Sequence, residues 1–105
     1  MRHSRLEDYT RGWFIGDFEP ALLRTKDFEV SVFVRKKGTP PDPHYHHVAE
    51  EYNVLISGRL SINGYELVSG DVFVIERDEV TSCVYHEDCT IVAVKVPSCI
   101  GDKYV

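Results

Sequence analysis

The chain has 105 residues, of which 43% are hydrophobic and 28% charged, with a net charge of −5. That is enough for one domain with one core, and no window approaches the run of about 20 apolar residues needed to span a membrane. The acidic balance, with no basic cluster beyond "RKK" at 35–37, lacks the electrostatic footprint of a nucleic-acid-binding protein.

The opening "MRHSRLEDYTRGW" is charged throughout and has no apolar signal-peptide core, which points to a cytoplasmic protein. Cys83, Cys89 and Cys99 form an odd set without C-x-x-C spacing, so neither a disulfide framework nor a zinc ribbon is expected. Residues 1–27, interrupted by Gly12, Gly16 and Pro20, fit a short strand or a segment lying across the core.

From Phe28 onward the apolar pattern has period two, and no window carries a sustained helical stripe, so the domain is expected to be all-β. In "FEVSVFVRK" Phe28, Val30, Val32 and Val34 share one face, the expected core face, against Glu29, Ser31 and Arg35, with Phe33 as the exception. "GTPPDP" cannot join a ladder and reads as a loop. A strand starting near His44 would turn His44 and His46 to one side and Tyr45 and His47 to the other. A strand from Glu51 would carry Glu51, Asn53 and Leu55 on one face and Tyr52, Val54 and Ile56 on the other.

Asn63-Gly64 suits a type I′ turn, with Ile62 opposite Tyr65 and Leu60 opposite Leu67, so that four apolar side chains share a face. "VFVI" at 72–75 is an uninterrupted apolar run expected to be buried on both sides. Residues 80–85 and 89–96 read as two more strands, joined at "HED" and closed by Pro97. In the last strand Lys95 follows Ile91 and Ala93 on one face, and such a lysine is expected to snorkel to solvent. The tail "SCIGDKYV" has no clear period. Short strands with turn signals between them suggest a sandwich or small barrel.

Two imidazoles on one face of a strand make a bidentate start for Zn, Cu, Fe or Ni, and a following carboxylate completes a 2-His-1-carboxylate set. Glu50 and Glu51 both compete for that place, and strand parity does not choose between them.

The spacing Gly38, five residues, His44-x-His46, four residues, Glu51, six residues, Gly58 resembles the first motif of the cupin superfamily, G-x5-H-x-H-x3/4-E-x6-G, at every fixed position. The resemblance selects Glu51. The second motif, at 70–81, is similar only in part: Gly70 opens it, but "ERDEVT" replaces its proline, glycine and histidine, and Thr81 stands where a fourth ligand would be. The resemblance implies a single-domain cupin-type β-barrel (double-stranded β-helix, or jelly roll). It further implies a metal set of His44, His46 and Glu51 for a divalent ion such as Fe, Mn, Ni or Zn, a small-molecule ligand, and a homodimer.

Thr81, Cys83 and Tyr85 share a face and are candidates for contact with the ligand, although a buried cysteine is more often a small hydrophobe. His44 and His46 are also the candidates for moving a proton if there is chemistry. The fold leaves the reaction unassigned. A metal-free isomerase or epimerase acting on a nucleotide-linked sugar, and a non-catalytic ligand sensor, stand beside the metal reading. His47 is expected at the surface, and His3 and His86 are expected to be exposed and outside any site.

Overall fold

The computed structural model describes all 105 residues. Two short 3-10 turns, Leu6–Asp8 and Thr10–Gly12, precede nine strands: β1 (Trp13–Gly16), β2 (Leu23–Arg24), β3 (Glu29–Arg35), β4 (Glu50–Ser57), β5 (Arg59–Ile62), β6 (Tyr65–Val68), β7 (Val72–Ile75), β8 (Cys83–Tyr85) and β9 (Cys89–Val96). They form a six-stranded sheet in the order β2-β1-β3-β9-β4-β7 and a three-stranded sheet in the order β6-β5-β8. No helix is long and apolar enough to cross a membrane.

The two sheets share one apolar core. Leu55 from β4 and Cys89 and Ile91 from β9 meet Leu60 and Ile62 from β5. Fully burying such aliphatic side chains stabilises a fold by roughly 1.5–3 kcal/mol each. The β5–β6 hairpin has the expected register, Leu60 opposite Leu67 and Ile62 opposite Tyr65. Asn63 and Gly64 take positive φ of 48° and 84°, as a type I′ turn requires. Tyr65, expected on the core face, is instead exposed, because β6 is an edge strand and its turn end overhangs the core.

Two other expectations about strand faces are reversed. In β3 the inward residues are Glu29, 7% exposed, and Ser31, 0% exposed, together with Phe33, which packs on the core. The valines look outward, and Val34 is exposed. In β7 only Phe73 and Ile75 turn inward, whereas Val72 is 75% exposed. β7 lies at the sheet edge and nothing in a single chain covers its outer side. Val30 and Val32 of β3 stand beside Val94 and Val92 of β9, which stand beside Tyr52 and Val54 of β4. The outer face of the large sheet is therefore a continuous apolar field.

The segment expected to begin a strand at His44 makes only two isolated bridges, His44 with Thr81 and Tyr45 with Tyr104. The strand expected over 80–85 is likewise shortened to β8, with Thr81 held by the His44 bridge. Three prolines ahead of His44 remove ladder donors there.

The two motif glycines differ in role. Gly58 sits at φ +99°, and a Cβ there would lie 2.4 Å from the Asp88 carbonyl oxygen and 2.7 Å from Cys89 Sγ. Gly38, at φ +76°, has open space around it. Gly58→Ala is expected to cost at least about 2 kcal/mol in urea unfolding, because it adds a backbone clash to the left-handed strain. Gly38→Ala should cost only about 1 kcal/mol, that of the strain alone.

Candidate functional site

Register stacks the inner face of the large sheet into layers across β3, β9 and β4. Phe33, Ile91 and Leu55 form an apolar layer, and Ser31, Ala93 and Asn53 a smaller and more polar one. Glu29, Lys95 and Glu51 form a charged layer nearest the open end. A cavity of about 540 Å³ stands against these layers, and His44, His46, Glu51, Thr81, Cys83 and Tyr85 all line it. Parity now separates the two glutamates. Glu51 looks into the cavity, while Glu50 lies on the outer side, 3.5 Å from Arg77 Nη1 and hydrogen-bonded by the Tyr52 hydroxyl at 3.3 Å.

The two imidazoles are oriented by main-chain carbonyls. His44 Nδ1–H donates to the Asp42 carbonyl at 2.6 Å, and His46 Nδ1–H donates to the Asp102 carbonyl. A carbonyl only accepts, so in both neutral rings the proton sits on Nδ1 and Nε2 keeps its lone pair. The rings meet edge to face with centroids 5.2 Å apart. His46 is buried, and desolvation, the largest influence, pushes its pKa below the usual histidine value despite the opposing Asp102 hydrogen bond. It is neutral at pH 7. Thr81 lies directly across from His44, exchanging two main-chain hydrogen bonds of 3.2 and 2.9 Å with it.

What holds the histidine segment is a residue that sequence periodicity does not single out. Asp102 is buried, and its carboxylate accepts the main-chain N–H groups of His47 at 3.0 Å, Val48 at 3.1 Å and Ala49 at 2.9 Å. Burial alone would raise its pKa, but the three amide hydrogen bonds outweigh it and hold the carboxyl below the usual range. Further along the tail, the Tyr104 ring stacks on Tyr45 at 5.3 Å, and Lys103 Nζ donates to Asp42 at 2.6 Å. The tail that had no legible period is thus a strap across the site. Its only sequence signal is an aspartate beside a glycine in an otherwise unpatterned segment.

The remaining candidates divide. Burial raises the Cys83 pKa, so the thiol is protonated at neutral pH and is a poor soft ligand. Burial likewise pushes the Tyr85 phenol upward, leaving it a hydrogen-bond donor. His47 is exposed and bonded to Asp78 at 2.7 Å, which raises its pKa. His86, expected to be exposed, is half-buried, with Nε2 2.6 Å from Ser61 Oγ; it does not line the cavity.

Lys95 also departs from expectation. It does not snorkel to solvent: its side chain is 18% exposed, with Nζ 3.9 Å from Glu29 Oε1 and 4.9 Å from the Trp13 ring centroid. Its two cross-strand neighbours, Glu29 and Glu51, carry carboxylates, and the Trp13 ring lies over the ammonium.

The donor chemistry suits a divalent cation in part. Two neutral imidazoles with Nδ1 committed to carbonyls are the form that binds metal through Nε2, and the Glu51 carboxylate has no hydrogen-bond or ion-pair partner within range in the same cavity. No three His, Cys, Asp or Glu side chains are gathered closely enough to hold an ion as they stand.

The Asp102 clamp can be measured. Asp102→Asn is expected to lower stability by about 2–3 kcal/mol above pH 5, the scale for hydrogen bonds to a charged acceptor. The native-state pKa lies below the unfolded value near 3.9, so the carboxylate's contribution is complete above that value and is lost as pH falls through the native pKa. Urea titrations of the two proteins should therefore converge in acid; a constant difference down to pH 2 would contradict the clamp.

No protein-family model and no curated protein matches the sequence. Solved structures do resemble it. An uncharacterized conserved protein with a double-stranded beta-helix domain from Klebsiella pneumoniae superposes with a TM-score of 0.68 at 22% identity, covering 95% of this chain and 88% of that one. KdgF from Halomonas sp. gives 0.63 at 21% identity, over 72% and 74% of the two chains. A cupin protein from Bacteroides fragilis gives 0.58 at 24% identity, over 77% and 75%. With the facing sheets and inward-layered strands described above, these likenesses give the chain a double-stranded β-helix fold like that of those proteins.

Proposed function

We propose that the chain binds a small molecule in its cavity with the help of one divalent metal of the Fe, Mn, Ni or Zn group, held by His44, His46 and Glu51. The observation that carries this reading is the pair of Nδ1–H bonds to the Asp42 and Asp102 carbonyls, which leaves two neutral Nε2 atoms as donors. A metal held there supplies Lewis acidity toward an oxygen of the ligand.

The chain's own residues set the rest. Asp102 fixes the proton of His46 on Nδ1, and Phe33, Phe73 and Ile91 form an apolar wall that limits water. Tyr85 offers a phenolic donor and Thr81 a hydroxyl. The protonated Cys83 fills space between them. Three cysteines without a disulfide fit a reducing compartment such as the cytoplasm.

Elemental analysis of freshly purified protein is expected to give one metal per chain. His46→Ala should lose it while keeping the β-type circular dichroism spectrum, and chelation should lower the melting temperature of the unaltered protein. Equal metal content in His46→Ala and the parent would overturn the reading.

A second reading is favoured by the lack of three metal-ligating side chains gathered closely enough to hold an ion and by the ammonium of Lys95 in the same cavity. In it, His46 or His44 moves a proton without metal. Ligand binding and turnover undiminished after complete chelation would select it.

The outer face of the large sheet supports a homodimer. Valines and Tyr52 on four neighbouring strands make an uncovered apolar field, larger than scattered exposed hydrophobics, and a two-fold pairing would set the same patch against itself. Light scattering should give twice the chain mass. Val74→Asp, at a position half exposed in the single chain, should shift the protein to monomer; a monomeric parent would refute the pairing.

A further inference from the structure

From the charged layer at the open end of the cavity we infer that Lys95 is the anchor for a carboxylate group of the bound small molecule. The inference deepens the proposed function: it rests on the cavity being a small-molecule site, and it requires no metal.

Three features of Lys95 lead there. First, it is enclosed rather than solvated, with a side chain 18% exposed, although its strand position would let a lysine reach water. Glu29, itself nearly buried, holds it from one side at 3.9 Å, and the Trp13 face holds it from another at 4.9 Å. Glu29 is in turn locked by the Ser98 hydroxyl, which donates to its other oxygen at 2.9 Å, while the Asp17 N–H donates to that hydroxyl at 2.9 Å. The ammonium is thus set in place by a chain of contacts that no apolar lysine stem requires.

Second, it has no acceptor. Glu29 Oε1, at 3.9 Å, lies beyond hydrogen-bond range, and the ammonium makes no hydrogen bond within the chain. An ammonium carries three donors, and leaving them unmet in an enclosed place is costly. The space in front of it is the cavity, so the missing acceptor is one that a ligand brings.

Third, the surroundings select the kind of anion. On the inner face of the sheet Arg35 packs over the Phe33 ring and does not line the cavity, which leaves Lys95 as the sheet's cation facing it. Of the other basic groups lining the cavity, Lys103 is bound to Asp42 at 2.6 Å, and Arg11 is exposed at the rim. Phosphate sites gather several donors, commonly an arginine fork or a helix N-terminus, and neither stands here. A single ammonium answers a single negative charge, and the Glu29 and Glu51 carboxylates beside it repel a more highly charged anion. Lys95 is the cross-strand neighbour of Glu51 and lines the same cavity as the two imidazoles. A carboxylate on Lys95 would therefore direct the adjoining carbon and its oxygen substituent toward His44, His46 and Glu51.

The test uses the full chain, with glycolate and pyruvate as probes, glycolamide as the uncharged control and inorganic phosphate as the competing anion. Saturating glycolate or pyruvate is expected to raise the melting temperature by about 5 °C, with glycolamide and phosphate giving less than a third of that. Lys95→Met and Lys95→Gln should weaken the carboxylates by about tenfold or more, and Lys95→Arg should retain part of the effect. Circular dichroism of each variant reports the fold, and metal content is measured on every sample.

Metal at the parent level in Lys95→Met with the carboxylate response gone supports the anchor. Metal present with no carboxylate response in the parent overturns the anchor and leaves the metal reading standing. A Lys95-dependent response in metal-free protein supports the anchor and removes the metal reading. An equal response in the parent and both neutral variants, or a phosphate response as large as the carboxylate one, overturns it.

Discussion

Asp102 receives the main-chain N–H groups of His47, Val48 and Ala49 on its carboxylate and the His46 imidazole on its carbonyl. Residues 46–49 have almost no ladder bonds of their own, and prolines before them prevent any from forming upstream. One residue near the end of the sequence therefore satisfies polar groups that would otherwise be stranded under the strap, and also fixes which imidazole nitrogen keeps its lone pair. The tautomer of His46 and the course of the chain from His46 to Ala49 both follow from that clamp.

The large sheet is built with its polarity inverted toward the open end. Deep in the core its inner face is apolar, but Ser31, Asn53, Glu29, Lys95 and Glu51 replace hydrophobes as the layers approach the mouth. Each such residue gives up burial energy that an aliphatic side chain would contribute, and Ser31 and Glu29 recover part of it through hydrogen bonds to Arg11 and Ser98. Stability given up in this way is usually found where a fold serves a site rather than itself. The apolar residues displaced from the interior appear on the outer face, as the valines of β3, β7 and β9.

That inversion explains which features the sequence displays. The Asn63-Gly64 hairpin is legible because its turn chemistry and period are local, and the His-x-His pair and the glutamate after it are legible because their spacing is. The face of β3 is not, because alternation shows two faces without saying which is inside, and the rule that valines go inward fails where the interior is a polar cavity. Lys95 is placed on its correct face by periodicity, yet its fate depends on Trp13 and Glu29, about 80 and 66 positions away in a fold the pattern does not describe. Asp102 is silent for a related reason: its partners are main-chain amides, which carry no residue identity for a motif to record.

The Tyr45–Tyr104 bridge and the Asp102 clamp join segments 53 to 59 residues apart. All nine strands end by Val96, whereas the main-chain N–H groups of residues 47–49 find their acceptor in the tail beyond it. Local opening of the tail therefore releases the histidine segment while every strand stays paired.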